Sequence, residues 1–123
     1  MTTATILTIL VVEDEPLIRM YGVDILEDAG FAVIEAGDAD EALDILSAGA
    51  PVQLIFSDVD MPGSMDGLEF AWAVHRRWPC IHLLLTSGHH RLEKAQLPEA
   101  GLFLPKPWSS ESLADVMRDF AGQ

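Results

Sequence analysis

The stretch Ile9-Leu10-Val11-Val12-Glu13-Asp14-Glu15 sets four consecutive apolar residues directly against three consecutive acids. The apolar run is short and does not alternate, the pattern of a strand covered on both faces, and the acids mark the point where the chain leaves the core. Similar runs recur at Leu54 to Phe56, Ile81 to Leu85 and Leu102 to Leu104, and Val33 with Ile34 marks a weaker fifth.

Helical spacing fills the intervals. Leu113, Val116, Met117 and Phe120 fall on one helical face near the end of the chain. Ala39, Ala42, Leu43 and Leu46 repeat that spacing after Asp38, with Glu41 three residues later, which predicts an N-cap with a capping box. Ile18, Tyr21 and Ile25 predict a helix that Gly30 terminates, and Leu68, Ala71 and Trp72 predict another that Pro79 stops. From His89 to Ala100 no apolar stripe is present and Pro98 intervenes, so any helix there is expected to be short or mobile. Strands alternating with helices over 123 residues, half of them apolar, give one α/β domain spanning 1–123. The expected layout is doubly wound and flavodoxin-like, with five parallel strands, right-handed crossovers and helices on both faces.

Twenty acidic residues against seven basic ones leave a net charge of -13. Phosphate backbones and anionic lipid repel such a surface, which argues against nucleic-acid and membrane partners. The apolar run from Ile6 to Val12 is far short of the roughly 20 residues of a membrane span, so a cytoplasmic protein is expected. Cys80 is the only cysteine; no internal disulfide can form, and its neighbours Ile81, Leu83 and Leu84 suggest a buried thiol in a reducing compartment.

Sites in open parallel sheets gather at the carboxyl ends of the strands. Glu13, Asp14 and Glu15 follow the first predicted strand, Asp58 and Asp60 the third, Thr86 and Ser87 the fourth, and Lys106 the fifth. Two carboxylates about 4 Å apart repel by about 1 kcal/mol in water and about 4 kcal/mol near a protein surface, so folding alone gives no reason to gather them. A hard divalent cation removes the repulsion, and carboxylates without cysteine or histidine close by suit Mg²⁺ better than zinc. Asp58 is then placed as a nucleophile toward phosphorus, with Lys106 and the Thr86 hydroxyl as partners for the charged phosphoryl oxygens. Taken singly, Glu13 is equally a solvated acid, Thr86 a turn residue and Lys106 a surface charge; their succession at strand ends carries the reading.

In that order, Val11-Val12-Glu13-Asp14-Glu15, Asp58-Val59-Asp60-Met61-Pro62, Thr86-Ser87-Gly88 and Lys106-Pro107 resemble the receiver domain of two-component response regulators, the CheY-like family. The resemblance covers essentially the whole chain. It implies phosphorylation of Asp58 and Mg²⁺ held by Asp14, Asp58 and the backbone carbonyl of Asp60, with Glu13 assisting directly or through water. It also implies Lys106 and Thr86 on the phosphoryl group, and a cis bond between Lys106 and Pro107. Phe103 matches an aromatic position that rotates inward as the threonine moves, and core packing accounts for it equally well. The implied partners are a histidine kinase or histidine phosphotransfer protein as donor and an unknown downstream protein, the chain acting as a monomer or weak dimer. With no output domain after Phe120, a stand-alone, non-enzymatic regulator is expected. Two rivals stay open: a receiver-like interaction module that is never phosphorylated, and a phosphatase of the haloacid-dehalogenase type, whose nucleophile motif Asp58-Val59-Asp60 also resembles.

Three departures from the family pattern stand out. The turn between Pro62 and Gly67 carries one extra residue. Asp60 adds a charge beside Asp58, and Gly88 offers no side chain two positions after Thr86, so an altered aspartyl-phosphate lifetime is expected. Trp108 stands where phenylalanine is common, and like Trp72 and Trp78 it reads as packing. His75, His82, His89 and His90 are not expected on the convergent face, so the histidine donor is expected to be another protein.

Overall fold

A computed structural model describes residues 6–61, 65–89, 91–99 and 101–121. The strands are β1 (Thr8–Val12), β2 (Ala32–Ala36), β3 (Leu54–Asp58), β4 (His82–Ser87) and β5 (Gly101–Pro105). The helices are α1 (Pro16–Asp28), α2 (Ala39–Ser47), α3 (Gly67–Arg77) and α4 (Ser110–Ala121). All strand pairings are parallel, in the order β2-β1-β3-β4-β5. This is the expected five-stranded, flavodoxin-like sheet.

The period of two along each strand divides the core. Leu10, Val12, Ile55, Leu83 and Leu85 pack with Ala42, Leu46, Phe70 and Val74 of α2 and α3. Ile9, Val11, Leu54, Phe56 and Leu84 pack with Val23, Leu26, Leu113 and Met117 of α1 and α4. Central strands buried on both sides explain the unbroken apolar runs, since either parity meets a helix. At the edge, β5 leaves Leu102 exposed.

Local chemistry sets the helix ends. The Asp38 carboxylate accepts from the Glu41 amide at 2.8 Å, as expected of an N-cap, but Glu41 accepts from Gly37 rather than closing the box on Asp38. A full capping box lies at α3, between Asp66 and Glu69. Gly30 follows the end of α1 with φ +99°, the left-handed geometry glycine adopts at little cost.

Several expectations need correction. The buried stripe of α1 is Gly22, Val23, Ile25 and Leu26, whereas Ile18 and Tyr21 are exposed. Those two lie toward the strand ends, where Tyr21 stacks on Trp108 with ring centroids 5.4 Å apart. On α3 the inward residues are Phe70, Ala71 and Val74; Trp72 is exposed and donates its indole N–H to the Gln96 carbonyl at 3.0 Å. Cys80 is exposed rather than buried, because it sits in the turn before β4 and the inward run begins only after it. Between β4 and β5 the described residues form only a 3₁₀ turn, Lys94–Gln96, in place of a full helix. His90, Ala100 and the first half of the Pro62–Gly67 turn, Pro62, Gly63 and Ser64, lie outside the described residues.

Gly67 opens α3 directly against the end of β3. A Cβ there would lie 2.1 Å from the Asp58 carbonyl oxygen and 2.5 Å from the Val59 Cα, both backbone atoms that cannot rotate away. Gly67→Ala is therefore expected to destabilise by about 2 kcal/mol or more in urea unfolding, by displacing α3 from the end of β3. A loss below about 0.5 kcal/mol would show that the loop yields freely.

Candidate phosphoacceptor and metal site

Register places the site. Asp58 pairs with Thr86 at the ends of β3 and β4, and both share strand parity with Phe56 and Leu84, the α1/α4 face. Glu13 and Asp14 follow β1, the neighbour of β3 on its other side, and Lys106 follows β5. The Lys106-Pro107 bond is cis, as the resemblance implied.

These elements bring the charged groups into contact. Lys106 Nζ donates to Glu13 Oε1 at 2.9 Å and to Asp58 Oδ2 at 3.0 Å. Glu13 and Asp58 are 4% and 3% exposed. Carboxylate oxygens of Glu13, Asp14 and Asp58 all lie within 4.8 Å of one another. With all three ionised, three carboxylates against one ammonium leave two negative charges uncompensated, so the oxygen-only donor set fits a hard divalent cation.

The electrostatics reflect this crowding. Burial pushes the Glu13 carboxyl up to about 7, and the Asp58 charge adds to that, against the pull of hydrogen bonds from Lys106 and the Glu15 amide. Burial alone would lower the Lys106 ammonium, but its hydrogen bonds to Glu13 and Asp58 and their charges hold it above its ordinary value.

Other expected residues take distinct places. Thr86 is buried, and its Oγ1 has no hydrogen-bond partner among the described residues, so the hydroxyl is not committed to the resting core. Phe103 is half-buried against the α2/α3 side of the core. Asp60 donates its amide to Asp58 Oδ1 at 3.0 Å, while its carboxylate accepts from Ser87 Oγ at 2.6 Å; the acidic cluster that could hold a metal ion comprises Glu13, Asp14 and Asp58, without the Asp60 carboxylate. Trp108 is buried between Tyr21 and Phe56, the packing role expected of it. His75 lies on α3 and His82 opens β4, away from the acids, but His89 follows the end of β4 and shares a groove with Asp60, closer to the site than expected.

Two further residues act at the site without a role having been expected of them. Arg19 of α1 donates to the Glu13 carbonyl at 2.8 Å and pairs with Glu35 at 3.2 Å, tying the acidic turn to α1 and β2. Ser87 holds Asp60. Neither residue type at its position carries a signal in a single sequence.

The family described as response regulator receiver domain matches residues 9–118. The sensor kinase CckA of Brucella abortus is 38% identical over 116 residues, covering 91% of this chain and 12% of that protein. The nitrogen assimilation regulatory protein NtrX of Azorhizobium caulinodans is 38% identical over 112 residues, covering 88% of this chain and 24% of that protein. Thus the chain spans a quarter or less of the length of these two curated relatives. The structure of the chemotaxis protein CheY4 of Vibrio cholerae aligns with a TM-score of 0.81 at 31% identity, covering 94% of this chain and 98% of that one. The chain belongs to the response regulator receiver family of two-component signalling. That membership displaces the phosphatase rival, whose nucleophile belongs after the first strand rather than after β3. No helix among the described residues is long and apolar enough to cross a membrane.

The raised Glu13 carboxyl predicts a pH dependence. In the metal-free protein the folded state keeps this proton up to about pH 7, whereas the unfolded chain releases it near 4.5. The native state therefore binds the extra proton within that window, and stability falls as pH rises through it, by on the order of 2–3 kcal/mol. Denaturant unfolding with a chelator present is expected to show this slope, and Glu13→Gln to flatten it. An equal slope in both proteins contradicts the assignment.

Proposed function

We propose that Asp58 accepts a phosphoryl group from a phosphohistidine on a histidine kinase or histidine phosphotransfer protein, and that the change is passed to a downstream protein. The observation that carries this reading is the Lys106 ammonium held between Glu13 and Asp58 in a cluster of three acids. An Asp58 carboxylate oxygen attacks phosphorus, the bond to the donor's imidazole nitrogen breaks, and the imidazole takes up a proton as it leaves. Lys106, already within hydrogen-bond distance of Asp58, has further N–H donors for an incoming phosphoryl oxygen.

The Asp14 and Asp58 carboxylates, the backbone carbonyl of Asp60 and, directly or through water, Glu13 are the ligands we assign to Mg²⁺. When bound, Mg²⁺ supplies charge neutralisation at the transferring group. The uncommitted Thr86 hydroxyl can turn to a phosphoryl oxygen, and the resemblance gives Phe103, on the neighbouring strand, as the aromatic side chain that rotates inward with it. Such a shift biases a pre-existing conformational equilibrium. The surface it changes comprises the 3₁₀ segment after β4 and the start of α4, whose entrances Thr86 and Lys106 occupy.

The chain acts only on its own carboxylate, so it is a signalling domain rather than an enzyme with turnover. We place it in the cytoplasm, as a monomer or weak dimer in keeping with its charge of -13.

Incubation with acetyl phosphate and Mg²⁺ is expected to add one phosphoryl group, located at Asp58 by mass spectrometry. Asp58→Asn and chelation should each abolish the adduct, and Lys106→Ala should slow its formation by about 100-fold, as loss of a preorganised donor does. An unmodified parent chain would favour the interaction-module reading, and equal labelling of Asp58→Asn would reassign the acceptor.

A further inference from the structure

Arg19, in the first turn of α1, links three elements beside the acidic cluster. Its Nη1 donates to the Glu13 carbonyl at 2.8 Å, and its Nε donates to Glu35 Oε1 at 3.2 Å. Glu35 lies on β2, in register with Val11 of β1. The pair with Glu35 is partly solvated, with side chains 25% and 52% exposed, and such pairs contribute little stability by themselves. The bond to the Glu13 carbonyl is of another kind, because that oxygen belongs to the peptide joining two members of the cluster, Glu13 and Asp14.

The other polar groups of Glu13 are held from different directions. Its amide donates to the Ala36 carbonyl of β2 at 3.1 Å. Its carboxylate accepts from Lys106 Nζ at 2.9 Å and from the Glu15 amide at 3.2 Å. Arg19 holds the carbonyl, and with it the plane of the Glu13–Asp14 peptide. That plane sets the φ of Asp14, and so the direction in which Asp14 presents its carboxylate to Asp58. A guanidinium suits the task, since its planar fork fixes the directions of its donors and lets one nitrogen anchor on β2 while another holds the turn.

We propose that Arg19 is a positioning residue for the divalent cation: it orients the Glu13–Asp14 peptide so that the Asp14 carboxylate meets that of Asp58 around one ion. The proposal rests on the Mg²⁺ role assigned to Asp14 and Asp58 and adds the residue that aims one of them. As a bare charge, a guanidinium beside a cation site would repel Mg²⁺, and its removal would tighten binding. As a positioning group it does the reverse, so the sign of the change separates the two.

The test measures the Mg²⁺ dissociation constant from the shifts of the backbone amide resonances of residues 13–15 and 58–60, alongside the rate of phosphorylation by acetyl phosphate. Arg19→Ala is expected to weaken Mg²⁺ binding about tenfold, the scale of loss when a group supporting a metal ligand is removed. At saturating Mg²⁺ its phosphorylation rate should return to near the parent's. Arg19→Lys, which keeps the charge and a donor without the planar fork, should bind with an affinity between those of Arg19→Ala and the parent. An unchanged or tighter constant in Arg19→Ala, weaker binding by Arg19→Lys than by Arg19→Ala, or a loss of rate that saturating Mg²⁺ does not restore overturns the proposal. Denaturant unfolding with a chelator present identifies any variant that is not folded; should Arg19→Ala be one, Arg19→Lys against the parent decides, and an unchanged constant there overturns the proposal. A parent chain that binds Mg²⁺ at these residues but takes no phosphoryl group overturns the phosphoacceptor reading and leaves Arg19 its role. A parent chain whose amides do not respond to Mg²⁺ overturns both.

Discussion

One ammonium group shared by two buried carboxylates is the constraint on which the site depends. Lys106 reaches Glu13 and Asp58 from the far side of the sheet, across positions ninety-three and forty-eight residues distant in sequence. Removing it would leave two buried acids facing each other, each poorly solvated, at a cost of several kcal/mol. Yet one positive charge does not balance three carboxylates, and the Glu13 carboxyl, raised chiefly by burial, is raised further by the Asp58 charge. The site is built to be completed by further positive charge.

The fold serves to bring four strand ends together. Parallel pairing makes every strand end at the same edge, and register then sets Asp58 beside Thr86 with Lys106 one strand beyond. Burial on both faces fixes that register, because a slip of one residue would turn Leu83 and Leu85 toward the α1/α4 side and Leu84 toward the other. Gly67 lets α3 start in contact with the Asp58 backbone, and Arg19 ties the acidic turn to α1. Core packing and site geometry are therefore the same constraint seen from two ends.

Much of this was legible in the chain. Unbroken apolar runs identified the strands because a strand covered on both faces has no polar side to alternate with, and the acids, Thr86 and Lys106 were visible at the carboxyl ends of those runs. Harder to read was the outer half of each helix. Ile18, Tyr21 and Trp72 have helical spacing but lie outside the sheet's footprint, and apolar character alone does not separate them from Val23 or Phe70. Cys80 misled because apolar neighbours in sequence are not neighbours in burial when a turn intervenes. Ser87 and Arg19 act through hydrogen bonds that depend on side-chain direction, which no periodicity encodes.

Glu13, Asp14 and Asp58, as one cluster that could hold a divalent cation, stand apart from the exposed acids that contribute to the charge of -13. Paramagnetic broadening of backbone amide resonances during a Mn²⁺ titration tests this most directly. Amides of residues 13–15 and 58–60 are expected to vanish first, at substoichiometric ion, and Mg²⁺ to restore them. Broadening that begins at the exposed acids of α1, Asp24, Glu27 and Asp28, or spreads evenly over the surface, would contradict it.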